Sequence, residues 1–146
     1  MSIYISGALK GSRNITLARA KYEAAASILR NVGLKPYLPH HNTDPEANRD
    51  ISPDAVFRQD MEAINRSAAV ILFLDEPSLG VGLEIGIFAS RGIPLLALCE
   101  QGCDLSRFAE GFLAKNNCEV TRYTDDFEEA IRTWAAQYFP TEKLRA

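Results

Sequence analysis

The sequence predicts a doubly wound α/β domain built on a five-stranded parallel sheet in the flavodoxin-like order 2-1-3-4-5. Three observations carry this expectation. Strand and helix signals alternate along the chain without a repeat or a linker. The run Ala69 to Leu74 is apolar at every position, as in a central parallel strand covered on both faces. Glycine-bearing loops follow the first and third strands, whose C-terminal ends flank the ligand crevice in that topology.

Taken in order, Ile3 to Ser6 is a short β-rich run that ends at Gly7. Ala18, Tyr22, Ala25, Leu29 and Val32 then recur at four- and three-residue steps up to Gly33, the mark of an amphipathic helix with a C-terminal glycine stop. Lys35 to Leu38 reads as a second strand. His40 to Asp50 is too rich in Asn, Asp and Pro for regular structure and is a candidate active-site loop. Ser52-Pro53 supplies an N-cap and a first-turn proline for a helix whose apolar stripe is Phe57, Met61, Ile64 and Ala68, with Asp60 beside it. After the strand Ala69 to Leu74, a third helix is expected from about Gly82 to Gly92, and Ile93 to Cys99 forms another buried strand. A fourth helix follows Ser106, and Glu119 to Tyr123 makes the fifth strand. The last helix carries Phe127, Ile131, Trp134 and Tyr138, with Asp126 and Glu129 spaced for a capping box.

Residues 1–146 fit one domain that buries roughly 70% of its unfolded surface without disulfides or metals. Hydrophobic residues make up 47% and charged residues 24%, which excludes fibrous and disordered classes. A net charge of −3 provides no positive field for a nucleic-acid polymer or an anionic membrane, whereas a small phosphorylated ligand needs only local donors. The first residues lack a secretory pattern and no apolar run approaches the ~20 residues of a membrane span, so a cytoplasmic protein is expected. Cys99, Cys103 and Cys118 lack the paired spacing of a zinc site and read as reduced thiols. His40-His41 has no carboxylate or cysteine at ligand spacing, so no metal is expected there.

Two loops and two carboxylates carry the chemical signal. In Ser6-Gly7-Ala8-Leu9-Lys10-Gly11-Ser12-Arg13, small residues let backbone N–H groups approach an anion and Lys10 or Arg13 can add charge; a tight turn explains the glycines equally well. Pro77-Ser78-Leu79-Gly80-Val81-Gly82 leads into the third helix, whose first turn is expected to hold Glu84 and whose dipole favours the ionised carboxylate. The alternative for Glu84 is a helix-capping role. Asp60 offers a second carboxylate, or else a solvated helix face. Two carboxylates suit glycosidic cleavage, one attacking or stabilising an oxocarbenium-like carbon while the other manages protons.

The stretch Ala69-Ala-Val-Ile-Leu-Phe-Leu-Asp-Glu-Pro-Ser-Leu-Gly-Val-Gly-Leu-Glu-Ile-Gly86 resembles the nucleoside 2-deoxyribosyltransferase superfamily, most of all its 2'-deoxynucleoside 5'-phosphate N-hydrolase and CMP hydrolase branch. The likeness runs from Ile3 to about Tyr138. It implies Glu84 as nucleophile, Asp60 as second catalytic carboxylate and Tyr4 as the group that orients the nucleophile and senses the sugar. It also implies phosphate contacts from Gly7, Lys10, Ser78 and Gly80, and a base-side contact from His40. Ser106 matches a serine that reaches the 5'-phosphate bound in a neighbouring subunit, which implies a homodimer with shared sites, in keeping with its place after the fourth strand, one strand beyond the crevice; the alternative for Ser106 is a plain helix N-cap. The chain departs from the branch at Ala8 and Lys10, where a serine and an arginine are expected, losing a hydroxyl donor and a bidentate fork.

The resemblance therefore implies hydrolysis of the N-glycosidic bond of a (deoxy)ribonucleoside 5'-monophosphate through a Glu84 glycosyl-enzyme, with neither cofactor nor metal. Three other readings stand beside it: a transferase in which a free base replaces water, a nucleotide-binding module without turnover, and a NAD-cleaving glycohydrolase.

Overall fold

The computed structural model describes residues 1–140; residues 141–146 of the expected domain lie outside the described residues. Five parallel strands, β1 (Ser2–Gly7), β2 (Lys35–Tyr37), β3 (Ser67–Phe73), β4 (Leu95–Glu100) and β5 (Val120–Tyr123), lie in the order β2-β1-β3-β4-β5, as the alternation of signals predicts. Between them run α1 (Ile15–Asn31), α2 (Pro53–Arg66), α3 (Leu79–Ser90), α4 (Arg107–Lys115) and α5 (Glu128–Tyr138).

Successive strand residues face opposite ways, and this alternation sorts the core into two layers. Ile3 and Ile5 of β1, Ala69, Ile71 and Phe73 of β3, and Leu96 and Leu98 of β4 pack against α1 and α5 through Tyr22, Leu29, Ile131 and Trp134. Tyr4, Val70, Leu72, Ala97 and Cys99 point to the other side, against Ile64 of α2, Val81, Ile85 and Phe88 of α3, and Leu113 of α4. Every strand position of β3 except Ala68 is buried, which is why its sequence carries no period.

Caps set several boundaries. Asn14 accepts the Leu17 N–H, and Gly33 takes a positive φ of 82° just past α1, a conformation that a side chain would disfavour. Ser52 caps α2 through the Ala55 N–H with Pro53 at the first position, as expected. Other expectations need correction. The apolar stripe proposed for α2 is mostly absent: Phe57 is 62% exposed, Met61 is half-buried, Ala68 belongs to β3, and Ile64 alone is fully buried. The helix touches the sheet only near its C-terminal end. α3 begins at Leu79, three residues before the expected Gly82, because Ser78 supplies the N-cap. The capping box of the last helix does not form: Phe127 is the N-cap residue, and the Asp126 carboxylate accepts the Glu128 N–H instead.

The polar segment after β2 contains one 3-10 turn, Pro39–His41, and is otherwise irregular, as its composition predicts. It is organised by Asp44, 1% exposed, whose carboxylate accepts two bonds of 2.7 Å from Arg19 and the backbone N–H groups of Glu46 and Ala47 at 2.8 and 2.9 Å. The Arg19 guanidinium in particular holds this carboxyl well below the usual carboxylate range. Its contribution to stability is therefore present above about pH 4 and fades as pH falls below it. Asp44→Ala should lower unfolding stability by about 2 kcal/mol or more at pH 7. Urea denaturation should show that difference narrowing in acid.

Candidate active site

Tyr4 and Ser6 stand two residues apart on β1 and so point to the same face. Both reach one group on α3: the Tyr4 hydroxyl donates to Glu84 Oε1 at 3.1 Å and Ser6 Oγ donates to Glu84 Oε2 at 2.5 Å. Tyr4 is fully buried, stacked on Tyr37 with ring centroids 5.4 Å apart and tilted against Phe88 at 5.2 Å. Its hydroxyl is thus fixed in direction, and burial, with the Glu84 charge beside it, pushes its ionisation far above the ordinary range, so it acts as a donor.

Because α3 starts at Leu79, Glu84 falls in the second turn and the helix dipole has largely lost its hold there. The expectation of a carboxylate kept ionised by the dipole is overturned. Burial dominates and pushes the Glu84 carboxyl up to about 7, the bonds from Ser6 and Tyr4 pull it back, and the Asp60 charge adds to the rise. Asp60 on α2 is half-buried and accepts the Thr43 hydroxyl at 3.1 Å. Burial pushes its carboxyl up as well, and the Thr43 bond opposes that. Glu84, Asp60 and Tyr4 therefore form one electrostatic group.

The loop residues are placed differently from one another. Gly7 ends β1, and a Cβ there would lie 2.3 Å from the Tyr22 ring, whose hydroxyl donates to Ala8 O at 2.7 Å. Close packing by Tyr22 demands this glycine whether or not a ligand is bound. Lys10 is exposed on the same loop. The two loops meet: the Arg13 N–H donates to Glu76 at 2.6 Å, and a Cβ on Gly11 would stand 3.1 Å from Pro77 O. Ser78 caps α3 by accepting the Val81 N–H. Gly80, in the first turn, faces open space, where an added Cβ would meet only Ser78 Oγ, at 3.8 Å. Ser106 caps α4 by accepting the Ala109 N–H. Ser106 and Ser78 line one cavity of about 710 Å³ between α3 and α4 together with Leu79, Phe108 and Phe112. Both serines border the same space, and among the described residues no hydrogen bond joins one to the other.

His40 turns away from this group. Its Nε2 lies 2.9 Å from Glu23 Oε1, its ring packs near Tyr22, and among the described residues no hydrogen bond or ring contact joins it to Tyr4, Glu84 or Asp60. His41 meets the same Glu23 oxygen. The reading that no carboxylate accompanies the histidine pair is corrected, because α1 brings Glu23 to it from another part of the sequence. These three are the described residues that could hold a metal, with donor atoms all within 4.8 Å of one another. As they stand, both imidazoles are bound to the carboxylate and tie the 3-10 turn to α1.

Ser6 and Thr43 are the polar contacts that sequence reasoning missed. Ser6 was legible, since the two-residue period of Ile3-Tyr4-Ile5-Ser6 places it beside Tyr4. Thr43 carried no signal, because its link to Asp60 depends on how the Asp44 loop folds back.

The nucleoside 2-deoxyribosyltransferase family model matches residues 3–131. The 5-hydroxymethyl-dUMP N-hydrolase of Mus musculus is 27% identical over 143 residues, covering 94% of this chain and 79% of that protein. A Thermofilum pendens protein provisionally named a 2'-deoxynucleoside 5'-phosphate N-hydrolase is 28% identical over 134 residues, covering 90% of each chain. The fold matches that of the Clostridium botulinum CMP N-glycosidase with a TM-score of 0.67 at 19% identity, over 94% of this chain and 99% of that one. With the Tyr4, Glu84 and Asp60 group in place and the family model spanning most of the sequence, this chain belongs to the nucleoside 2-deoxyribosyltransferase family.

Proposed function

We propose that this protein hydrolyses the N-glycosidic bond of a (deoxy)ribonucleoside 5'-monophosphate, with Glu84 as the nucleophile. The observation that carries the reading is a carboxylate anchored at both oxygens, by Tyr4 and Ser6, with a second carboxylate, Asp60, acting on it electrostatically. The two curated relatives named above carry N-hydrolase names, which supports the same substrate class and water as the acceptor.

In the first half of the reaction ionised Glu84 forms a bond to C1' as the C1'–N pair departs with the base, which takes a proton from solvent. Positive charge gathers at C1', and the Asp60 carboxylate stabilises it at short range. In the second half a water oxygen bonds to C1', its proton passes to Asp60 and the C1'–O pair returns to Glu84, releasing (deoxy)ribose 5-phosphate. Asp60 then gives its proton to solvent. Tyr4 directs the carboxylate, and the family resemblance gives it the further role of sensing the sugar. By the family resemblance Gly7, Lys10, Ser78 and Gly80 would contact the phosphate, whereas a base-side contact from His40 would require it to leave Glu23.

A homodimer completes this reading. Leu79, Leu83 and Phe108, 91%, 72% and 87% exposed, crowd the surface beside the cavity that holds Ser78 and Ser106. A monomer rarely leaves such a patch bare, and a two-fold contact there would bring Ser106 of each subunit to the other's phosphate loop. The free thiols of Cys99, Cys103 and Cys118 fit the cytoplasm, and among the described residues no helix is long and apolar enough to cross a membrane.

Glu84→Gln should lower base release at least about a thousandfold while the circular dichroism spectrum stays unchanged. In the wild type the rate should fall as pH drops below about 7, because a protonated Glu84 has no charge with which to attack. A buried carboxyl with a raised pKa destabilises the fold as pH climbs through that value, so Glu84→Gln should raise the melting temperature at pH 8 and much less at pH 5. Chromatography of a nucleotide and nucleoside panel should show 5'-monophosphates cleaved about a hundredfold or more efficiently than the matching nucleosides, since two lost charge-assisted bonds are enough. Equal efficiency would count against phosphate recognition, and appearance of a new nucleoside on adding a second base would assign transfer instead. Light scattering on wild type and Phe108→Asp tests assembly: a dimer that becomes a monomer is the expected result.

A further inference from the structure

We infer that Ser6 is a positioning residue that fixes the rotation of the Glu84 carboxylate and leaves Oε1, the oxygen it shares with Tyr4, as the one that bonds to C1'. The inference rests on the nucleophile role given to Glu84 above. It goes beyond that role by dividing the work between two hydroxyls and two oxygens.

A glutamate side chain reaches its target through three rotatable bonds, and the last of them turns nearly freely. One hydrogen bond places one oxygen but allows the carboxylate plane to swing about it. Two donors on two different oxygens remove that freedom. Tyr4 and Ser6 meet this condition, because the hydroxyls bind Oε1 and Oε2 separately. The bonds differ in length: Ser6 holds Oε2 at 2.5 Å, whereas Tyr4 holds Oε1 at 3.1 Å. The shorter bond to a charged acceptor is the stronger, and it draws more electron density from its oxygen. Oε2 is accordingly the anchored oxygen, and Oε1 keeps the more available lone pair.

Ser6 is itself immobile enough to act as an anchor. It is 1% exposed, lies in β1 opposite Leu72 of β3, and its side chain faces the α3 side from a strand paired on both edges over part of its length. It also immediately precedes Gly7, which the Tyr22 ring locks from the opposite side. The last residues of β1 therefore couple the first loop to the nucleophile. A serine hydroxyl that donates to the ionised form also favours ionisation, so its loss should move Glu84 further up from an already raised position.

The test compares wild type with Ser6→Ala and Ser6→Cys, the second placing a bulkier and weaker donor at the same position. Carbon-13 NMR titration of the glutamate carboxylates in the ligand-free protein should place the Glu84 midpoint higher in Ser6→Ala, with Ser6→Cys between it and wild type. In base release at pH 6 from a cleaved monophosphate, kcat should fall about tenfold or more in Ser6→Ala while KM changes less than about twofold. The acid limb of the pH profile should move to higher pH in the same order. A Glu84 midpoint that is the same in all three folded proteins would overturn the inference. If wild type cleaves no monophosphate in the panel, the functional reading falls, and the NMR titration still decides whether Ser6 holds Glu84.

Discussion

Everything at the candidate site depends on the parallel pairing of β1 with β3. The register from Ile3 opposite Ala69 to Gly7 opposite Phe73 makes the two strands end side by side, so that the loops leaving them meet above the sheet. The chain leaving β3 needs only Leu74 to Ser78 to start α3, and α3 then runs back over the face on which Tyr4 and Ser6 project. Parallel strands joined by right-handed crossovers have little freedom to do otherwise. A shift of β1 by one residue against β3 would turn Tyr4 and Ser6 to the α1 side and leave Glu84 buried without a donor.

A carboxylate in such a place works against folding, and the surrounding structure shows how that cost is contained. Burial disfavours the charged form of Glu84, and two hydroxyls and a rigid aromatic stack offset part of it. The supporting layer is built from groups that are themselves fully satisfied. Asp44 accepts four bonds and shapes the loop from which Thr43 reaches Asp60. Asp75, at the end of β3, accepts Lys21 at 2.7 Å, the Glu100 N–H at 2.5 Å and the Tyr123 hydroxyl at 2.8 Å, tying α1, β4 and β5 to the same edge. Glu84 and Asp60, by contrast, are the two carboxyls that burial pushes upward among the described residues.

The two faces of the sheet differ in finish. The α1 and α5 side closes over a continuous apolar layer that includes the Phe73, Tyr123 and Phe127 rings. On the other side α3 has apolar residues all round, with Val81, Ile85 and Phe88 turned inward and Leu79 and Leu83 turned to solvent. A helix that is apolar on its outer face gains nothing from folding alone. That outer face adjoins the loop from Pro77 to Ser78 that leads into the helix.

The strand run Ala69 to Leu74, the helical period of α1, the proline-serine start of α2 and the serine start of α4 were all readable in the sequence, because backbone hydrogen bonding and the burial of one face impose local periods and local caps. Glu84, Asp60 and Tyr4 were named from a motif, and Ser6 lay in plain sight within the period of β1. The sequence did not reveal where α2 touches the core, because Phe57 and Met61 have the right spacing but a neighbour only at one end of the helix. It also hid Glu23 beside His40 and His41, Thr43 beside Asp60, and the state of Glu84. Those are properties of distance in space. The pKa of a carboxyl depends on how much water remains around it and which donors face it, and both are fixed only when elements far apart in sequence pack together.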